Sequence, residues 1–412
     1  MQEATETEAR QRDRHPLRAA IFFGLVLIAF GMFYSLYLEP RIQHLPAGSW
    51  WRNFDVWVPV QPARYVATGA YAFLYGANRL WVAGPLLPVL LAPAVAIGDR
   101  LGLMSSIPYL LPRPTMWLLY GPYALAFGVL PLVAVRRLAV SLRAASERTV
   151  ARQPLAALQM WILLLALVPA AAIYGHYEDV IALGLMLLAL DGVFRGKETS
   201  SAVLIGLAVG FKQWGLLGVP LLVPSIPHGR RLRWLVIALG VDVVIYGPLV
   251  FDWHHTYTVH AHPFVFPDRG HLALWFLGRV EPLTTNGLRL FTLPLAVLAG
   301  WYLAKRPTRA ATLGGFALVF FARVLSEPVA YPYYLAVPLT FLLLHEDLRT
   351  GRPWRTVVLG TAMMLLFAWE PNPYLWWALE LALAIAIMGP AARDFVRPTD
   401  LATGAAPLPA TN

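Results

Sequence analysis

The chain has 412 residues, 58% of them hydrophobic and only 14% charged, with a mean hydropathy of +0.57. A water-soluble domain carries about 25% charged residues, so the composition excludes an ordinary soluble globule and predicts a membrane protein that crosses many times. The net charge of +10 does not point to nucleic acid, because the basic residues sit in short connectors between apolar runs, and the absence of cysteine removes disulfides and thiolate metal sites.

Residues 1–18 are polar and charged and read as a cytoplasmic N-terminal tail. The apolar run 19–38 is long enough to cross about 30 Å of hydrocarbon, and no small-residue cleavage site follows it, so it reads as a first span. A long external loop, 39–114, follows. Further spans are expected at 115–135, 155–174, 179–194, 232–251, 286–304, 308–325, 333–345, 356–369 and 374–391. Most lysines and arginines fall in the connectors 136–153, 195–199, 227–233, 305–309 and 346–355 and in the two termini. Positive residues mark the cytoplasmic side, which places both termini inside, the 392–412 tail included. Within that tail, 401–412 reads as disordered.

Two stretches conflict with this parity unless they enter and leave on one side. Leu80 to Gly98 is apolar enough to span but is punctuated by Pro85, Pro88 and Pro93. It reads as a re-entrant or interfacial segment on the external face. The stretch 200–226 has cytoplasmic flanks and reads as two short helices, 200–211 and 213–226, with Lys212 and Gln213 at their external turn. Broken helices in membranes usually line a cavity. The expected fold is therefore all-α and polytopic, with about 12 transmembrane or half-membrane helices in a single domain over 19–391.

Polar residues collect on the external side. Asp55 stands in Asn53-Phe54-Asp55-Val56-Trp57, followed by Arg64, Tyr65, Tyr71 and Tyr75 at helical spacing. The turn after the third span reads Tyr174-Gly175-His176-Tyr177-Glu178-Asp179. The external loop 252–285 carries Asp252, His254, His255, His260, His262, Asp268 and His271 among aromatic residues. Arg323, Glu327, Tyr331, Tyr333 and Tyr334 follow span 308–325, and the last external turn is Glu370-Pro371-Asn372-Pro373-Tyr374. Carboxylates, histidines and aromatic rings around one cavity suit a carbohydrate: carboxylates accept hydroxyl hydrogen bonds or take a proton from an attacking hydroxyl. A lysine or arginine at lipid depth suits the phosphate of a lipid-linked donor.

Plainer readings stand beside these. Tyrosine and tryptophan form interface belts, and Lys212 can snorkel from a helix end. Glu178 and Asp179 favour a helix N-terminus. The histidines of 254–271 lack the HExxH spacing of a zinc site, and Asp242, inside span 232–251, is either a structural partner or part of the cavity.

The order of these pieces resembles a known family. A first span is followed by a loop with an early aspartate, a Pro-rich apolar segment (Trp81-Val82-Ala83-Gly84-Pro85-Leu86-Leu87-Pro88), a Gly-His-x-x-Asp turn and a Gly-rich run ending in Phe211-Lys212. This is similar to the GT-C superfamily of integral-membrane glycosyltransferases, and most of all to the actinobacterial polyprenyl-phosphate-mannose-dependent α-mannosyltransferases. The resemblance covers about residues 19–391 and is sharpest at Gly175–Asp179 and Gly206–Trp214. The chain departs from the family pattern at Tyr177-Glu178, at Gln213-Trp214 after the lysine, and at 327–334, where many relatives place a histidine.

The resemblance implies inverting transfer of a sugar, mannose before arabinose or glucose, from a polyprenyl phosphate to a glycolipid or glycan acceptor. The site faces outward from the cytoplasmic membrane, and neither a cofactor nor a metal is implied. Carried over by position, Asp55 is the general base. Lys212, Arg323 and Arg64 bind the donor phosphate. His176, Glu178, Asp179, Gln213, Trp214, His262, Glu327, Tyr331 and Tyr334 bind sugar or acceptor. Two other readings remain open: a transporter or flippase for a lipid-linked sugar, and a non-catalytic relative that binds polyprenyl phosphate.

Overall fold

The computed structural model describes residues 16–34, 58–77, 81, 83–103, 116–145, 152–261, 288–305, 307–327, 331–368 and 373–397. Asp55, His262 and the 401–412 tail lie outside the described residues, as do His271 and the turn at 370–372. Among the described residues there is helix and no strand. The main helices are α1 (Pro16–Phe33), α2 (Val60–Ala67), α3 (Leu86–Arg100), α4 (Met116–Ala144), α5 (Leu155–Ile173) and α6 (Tyr177–Phe194). They continue with α7 (Glu198–Phe211), α8 (Arg231–Tyr246), α9 (Trp253–Ala261), α10 (Leu288–Lys305), α11 (Arg309–Leu325), α12 (Ala336–Thr350), α13 (Trp354–Ala368) and α14 (Pro373–Val396).

Three described helical runs, 121–144, 155–173 and 228–259, are long and apolar enough to cross a membrane. The third exposes Leu232, Val236, Val243, Val244 and Phe251 on its outer face. An apolar face of that length is costly in water and suits a lipid surround. By contrast α6 is buried on nearly all sides, packed between α4 and α7. A helix apolar all round belongs at the centre of a bundle.

Several expected boundaries change, α12 running on to Thr350 and α14 to Val396, and two shift most. The span expected to end at residue 135 continues as α4 to Ala144, so Arg136, Arg137 and Arg143 ride on helix rather than in a loop. Ion pairs hold these last turns: Arg143 meets both carboxylate oxygens of Asp347 at 2.6 and 2.9 Å, and Arg137 lies 3.5 Å from buried Asp191. The span expected at 232–251 runs on through a tight 3-10 turn, Gly247–Asp252, into α9, so the start of the expected external loop is helical.

The expected pair of short helices meets at a break. Helix α7 ends at Phe211, Lys212 is extended (φ −148°, ψ 123°), and the chain returns through short turns over 213–225. Only five of those returning residues, Gly218–Leu222, form α-helix. Gly215, Gly218, Pro220 and Pro224 explain this, since glycine weakens a helix and proline lacks the N–H that continues it.

Helix ends sort into two groups. At one end lie Arg143–Asp347, Arg195–Asp191, Arg230–Glu198 and Arg349–Asp394, with Glu346 accepting from the first backbone N–H groups of α13. At the other lie the α5–α6 turn, the Lys212 break, the end of α11 and the start of α12. Among the described residues, the ion pairs of the basic connectors thus lie at the first end and the tyrosine-rich turns around His176 at the second.

Candidate functional site

The second end is built around a turn and a break. Gly175 has φ +74°, a left-handed conformation that a side chain disfavours, and it reverses the chain between α5 and α6. The reversal places His176 at the N-cap of α6 and Glu178 and Asp179 in its first turn. The break after α7 brings Lys212 to the same place. Its Nζ lies 3.0 Å from Glu178 Oε1 and 3.0 Å from Asp179 Oδ2. His176 Nδ1 is 2.9 Å from the same Glu178 oxygen and 3.5 Å from Asp179 Oδ2. Trp214 completes the set by donating its indole N–H to Asp179 Oδ1 at 2.6 Å.

These groups are close to sealed from solvent: Glu178 is 3% exposed, Asp179 6%, and the Lys212 and His176 side chains 14% each. Both Lys212, at the break, and Glu178, at the turn, lie outside the spans read from the sequence. Burial alone favours the neutral Glu178 carboxyl, but the Lys212 ammonium and then His176 overcome it and hold that carboxyl below the usual range. Burial likewise disfavours the Lys212 ammonium, and Asp179 followed by Glu178 keep it protonated.

An aromatic wall stands beside it. The His176 ring stacks on Tyr333 with centroids 3.9 Å apart, and Tyr333 contacts Tyr174, Tyr331 and Tyr334. Trp214 meets Phe320 of α11 edge-on at 5.4 Å. One turn beyond Phe320, Arg323 pairs with buried Glu327. Helix α3 enters from the other side: the Gly84 N–H donates to the Phe211 carbonyl at 3.0 Å, directly before Lys212. A Cβ on Gly84 would overlap the Gly210 carbonyl, so this close backbone approach requires glycine.

The structure therefore gathers His176, Glu178, Asp179, Lys212 and Trp214 into direct contact, and sets Tyr331 and Tyr334 next to Tyr333 on the neighbouring wall. Gln213 opens the turn between Lys212 and Trp214. Tyr333, whose ring lies on His176, was not singled out as a ligand by sequence, although its place among the tyrosines of 331–334 marked the segment.

Arg64 belongs elsewhere. It forms a paired hydrogen bond with Asp99, both contacts at 2.7 Å, near the far end of α3. From Leu86 at the site end, 13 residues at 1.5 Å each put Asp99 about 20 Å away. Lys212 also differs from expectation, because its ammonium faces two carboxylates rather than an open anion site. Each of the three cations expected to bind phosphate thus has a carboxylate partner: Asp99 for Arg64, Glu178 and Asp179 for Lys212, and Glu327 for Arg323.

Asp242 sits on α8 one turn before Tyr246, whose hydroxyl donates to the Val209 carbonyl of α7. In the 252–271 stretch, His255 pairs with Asp252 at 2.8 Å. Among the described residues, the side chains spaced to hold a metal ion are His176, Glu178 and Asp179, not these histidines. No protein-family model matches the chain, and no curated protein matches it.

Proposed function

We propose that this protein is a membrane-embedded glycosyltransferase of the GT-C type that moves a sugar, mannose first among candidates, from a polyprenyl phosphate to a glycolipid or glycan acceptor. One observation carries the reading. The two stretches with the sharpest resemblance, Gly175–Asp179 and Gly206–Trp214, contribute the opposing members of one buried charge cluster. Buried ionisable groups at the end of an apolar bundle are costly to place and mark function.

In this reading the acceptor hydroxyl loses its proton to Asp55 as its oxygen attacks the anomeric carbon. The bond from that carbon to the phosphate oxygen breaks with inversion, and the phosphate leaves with the bonding electron pair. The leaving phosphate needs a cation. Arg323 suits this better than Lys212: a guanidinium has five N–H donors and can bridge a carboxylate and a phosphate, whereas the lysine ammonium already faces two carboxylates. Lys212, Glu178, Asp179 and Trp214 instead form a rigid floor that fixes His176 and, through it, the Tyr333 wall against which a sugar ring can stack. The active face is the external one, at the end of the bundle opposite the basic connectors.

The test compares cell-envelope glycolipids with and without the gene by mass spectrometry. A glycan truncated by one sugar type supports transfer, and restoration by the wild-type gene but not by Asp55→Asn, at equal protein level, places the base. An unchanged glycolipid profile contradicts the reading.

A further inference from the structure

We propose that His176, Glu178 and Asp179 form a divalent-metal ligand set whose resident cation is the Lys212 ammonium, so that lysine and metal are mutually exclusive occupants of one site. This stands independently of the glycosyl-transfer reading.

Three observations support it. The first is spacing. His176 Nδ1 lies 2.9 Å from Glu178 Oε1 and 3.5 Å from Asp179 Oδ2. Ligands bonded at about 2.0–2.1 Å to a tetrahedral ion stand roughly 3.3 Å apart, so these two distances bracket that edge. The three ligand atoms all lie within 4.8 Å of one another, and the longest separation needs only a small closure around an ion. The second is support around the ligands. Trp214 fixes the second oxygen of Asp179 at 2.6 Å, and the Tyr333 ring fixes the plane of the imidazole. Metal sites orient their ligands by such outer contacts.

The third is the cation itself. Lys212 Nζ is 3.0 Å from each carboxylate and comes from the chain break, not from α6. Two buried carboxylates this close repel one another unless a positive charge lies between them. The ammonium supplies it from within the chain, at a distance where a divalent ion and a lysine cannot both remain. An ordinary ion pair accounts for Lys212 with both carboxylates; the metal reading adds the imidazole as a third ligand at ligand spacing.

The experiment uses the full-length protein in detergent. Wild type and Lys212→Met are titrated with Mn2+ and Zn2+, reading Tm and metal content per chain. The proposal predicts no specific ion and no metal-dependent Tm shift in wild type. It predicts a low Tm for Lys212→Met that rises saturably with a single bound ion, and loss of that rise in Lys212→Met with His176→Ala. Recovery of folded Lys212→Met only when metal is present also supports it. Binding of an ion by wild type that is lost in His176→Ala overturns it. So does a Lys212→Met protein that gains no stability from metal, or that fails to fold with or without it, because a divalent ion should restore the missing charge. None of these outcomes depends on whether the protein transfers a sugar.

Discussion

Trp214 occupies the position directly after the Lys212-Gln213 break, and its indole N–H ties Asp179 Oδ1 to the chain of the returning half-helix. A hydrogen bond to a buried carboxylate contributes about 1.5–3 kcal/mol. Replacement by phenylalanine keeps a ring against Phe320 but removes the donor. Trp214→Phe should therefore lower stability by about that amount and reduce transfer several-fold, read by thermal melting and by a donor-dependent assay. Unchanged melting and turnover would show that Asp179 needs no orienting partner. At this scale the sequence was informative about which residues cluster and less so about which charges they face. The Gly-His-x-x-Asp and Phe-Lys stretches singled out by sequence are ones that the structure brings into contact. Lys212 was expected to bind an anion because its two carboxylate partners lie 34 and 33 residues earlier, and one-dimensional order does not reveal which charges meet.

The break between α7 and the 213–225 turns is the element on which the site depends. It was legible because parity required the chain to turn back and because a polar pair, Lys212-Gln213, stood between two short apolar runs. The irregular return was less legible, although Gly215, Gly218, Pro220 and Pro224 account for it afterwards. The length of α4 was missed for a physical reason: hydropathy falls where Arg136, Arg137 and Arg143 begin, yet ion pairs to Asp191 and Asp347 carry the helix on. Helix α3 acts at two ends that mutation can separate. Gly84→Val should push α3 from the Gly210 carbonyl, cost about 1–3 kcal/mol as overpacking does, and depress transfer. Arg64→Ala, about 20 Å along the helix from the site, should leave transfer within two-fold of wild type. Loss of transfer in Arg64→Ala with intact folding would return Arg64 to the site.

At the scale of the molecule, the described helix ends separate the ion pairs of the basic connectors from the tyrosine-rich turns around His176. The number of crossings and the sidedness are open to direct measurement, because the chain lacks cysteine and any introduced thiol is unique. Tyr257→Cys, on exposed α9, should react with a membrane-impermeant maleimide in intact cells, and Thr350→Cys, at the end of α12, only after lysis. The reverse pattern would invert the protein and place its aromatic end inside. The central claim is that the buried cluster at the aromatic end serves glycosyl transfer. It is tested most directly by following labelled mannose from polyprenyl-phosphate mannose in membranes containing wild type or Lys212→Ala at matched protein levels. The account predicts donor-dependent transfer by wild type and at least a tenfold loss in the variant, equivalent to about 1.4 kcal/mol of transition-state stabilisation. Transfer at the level of empty membranes, or a variant as active as wild type, would contradict it.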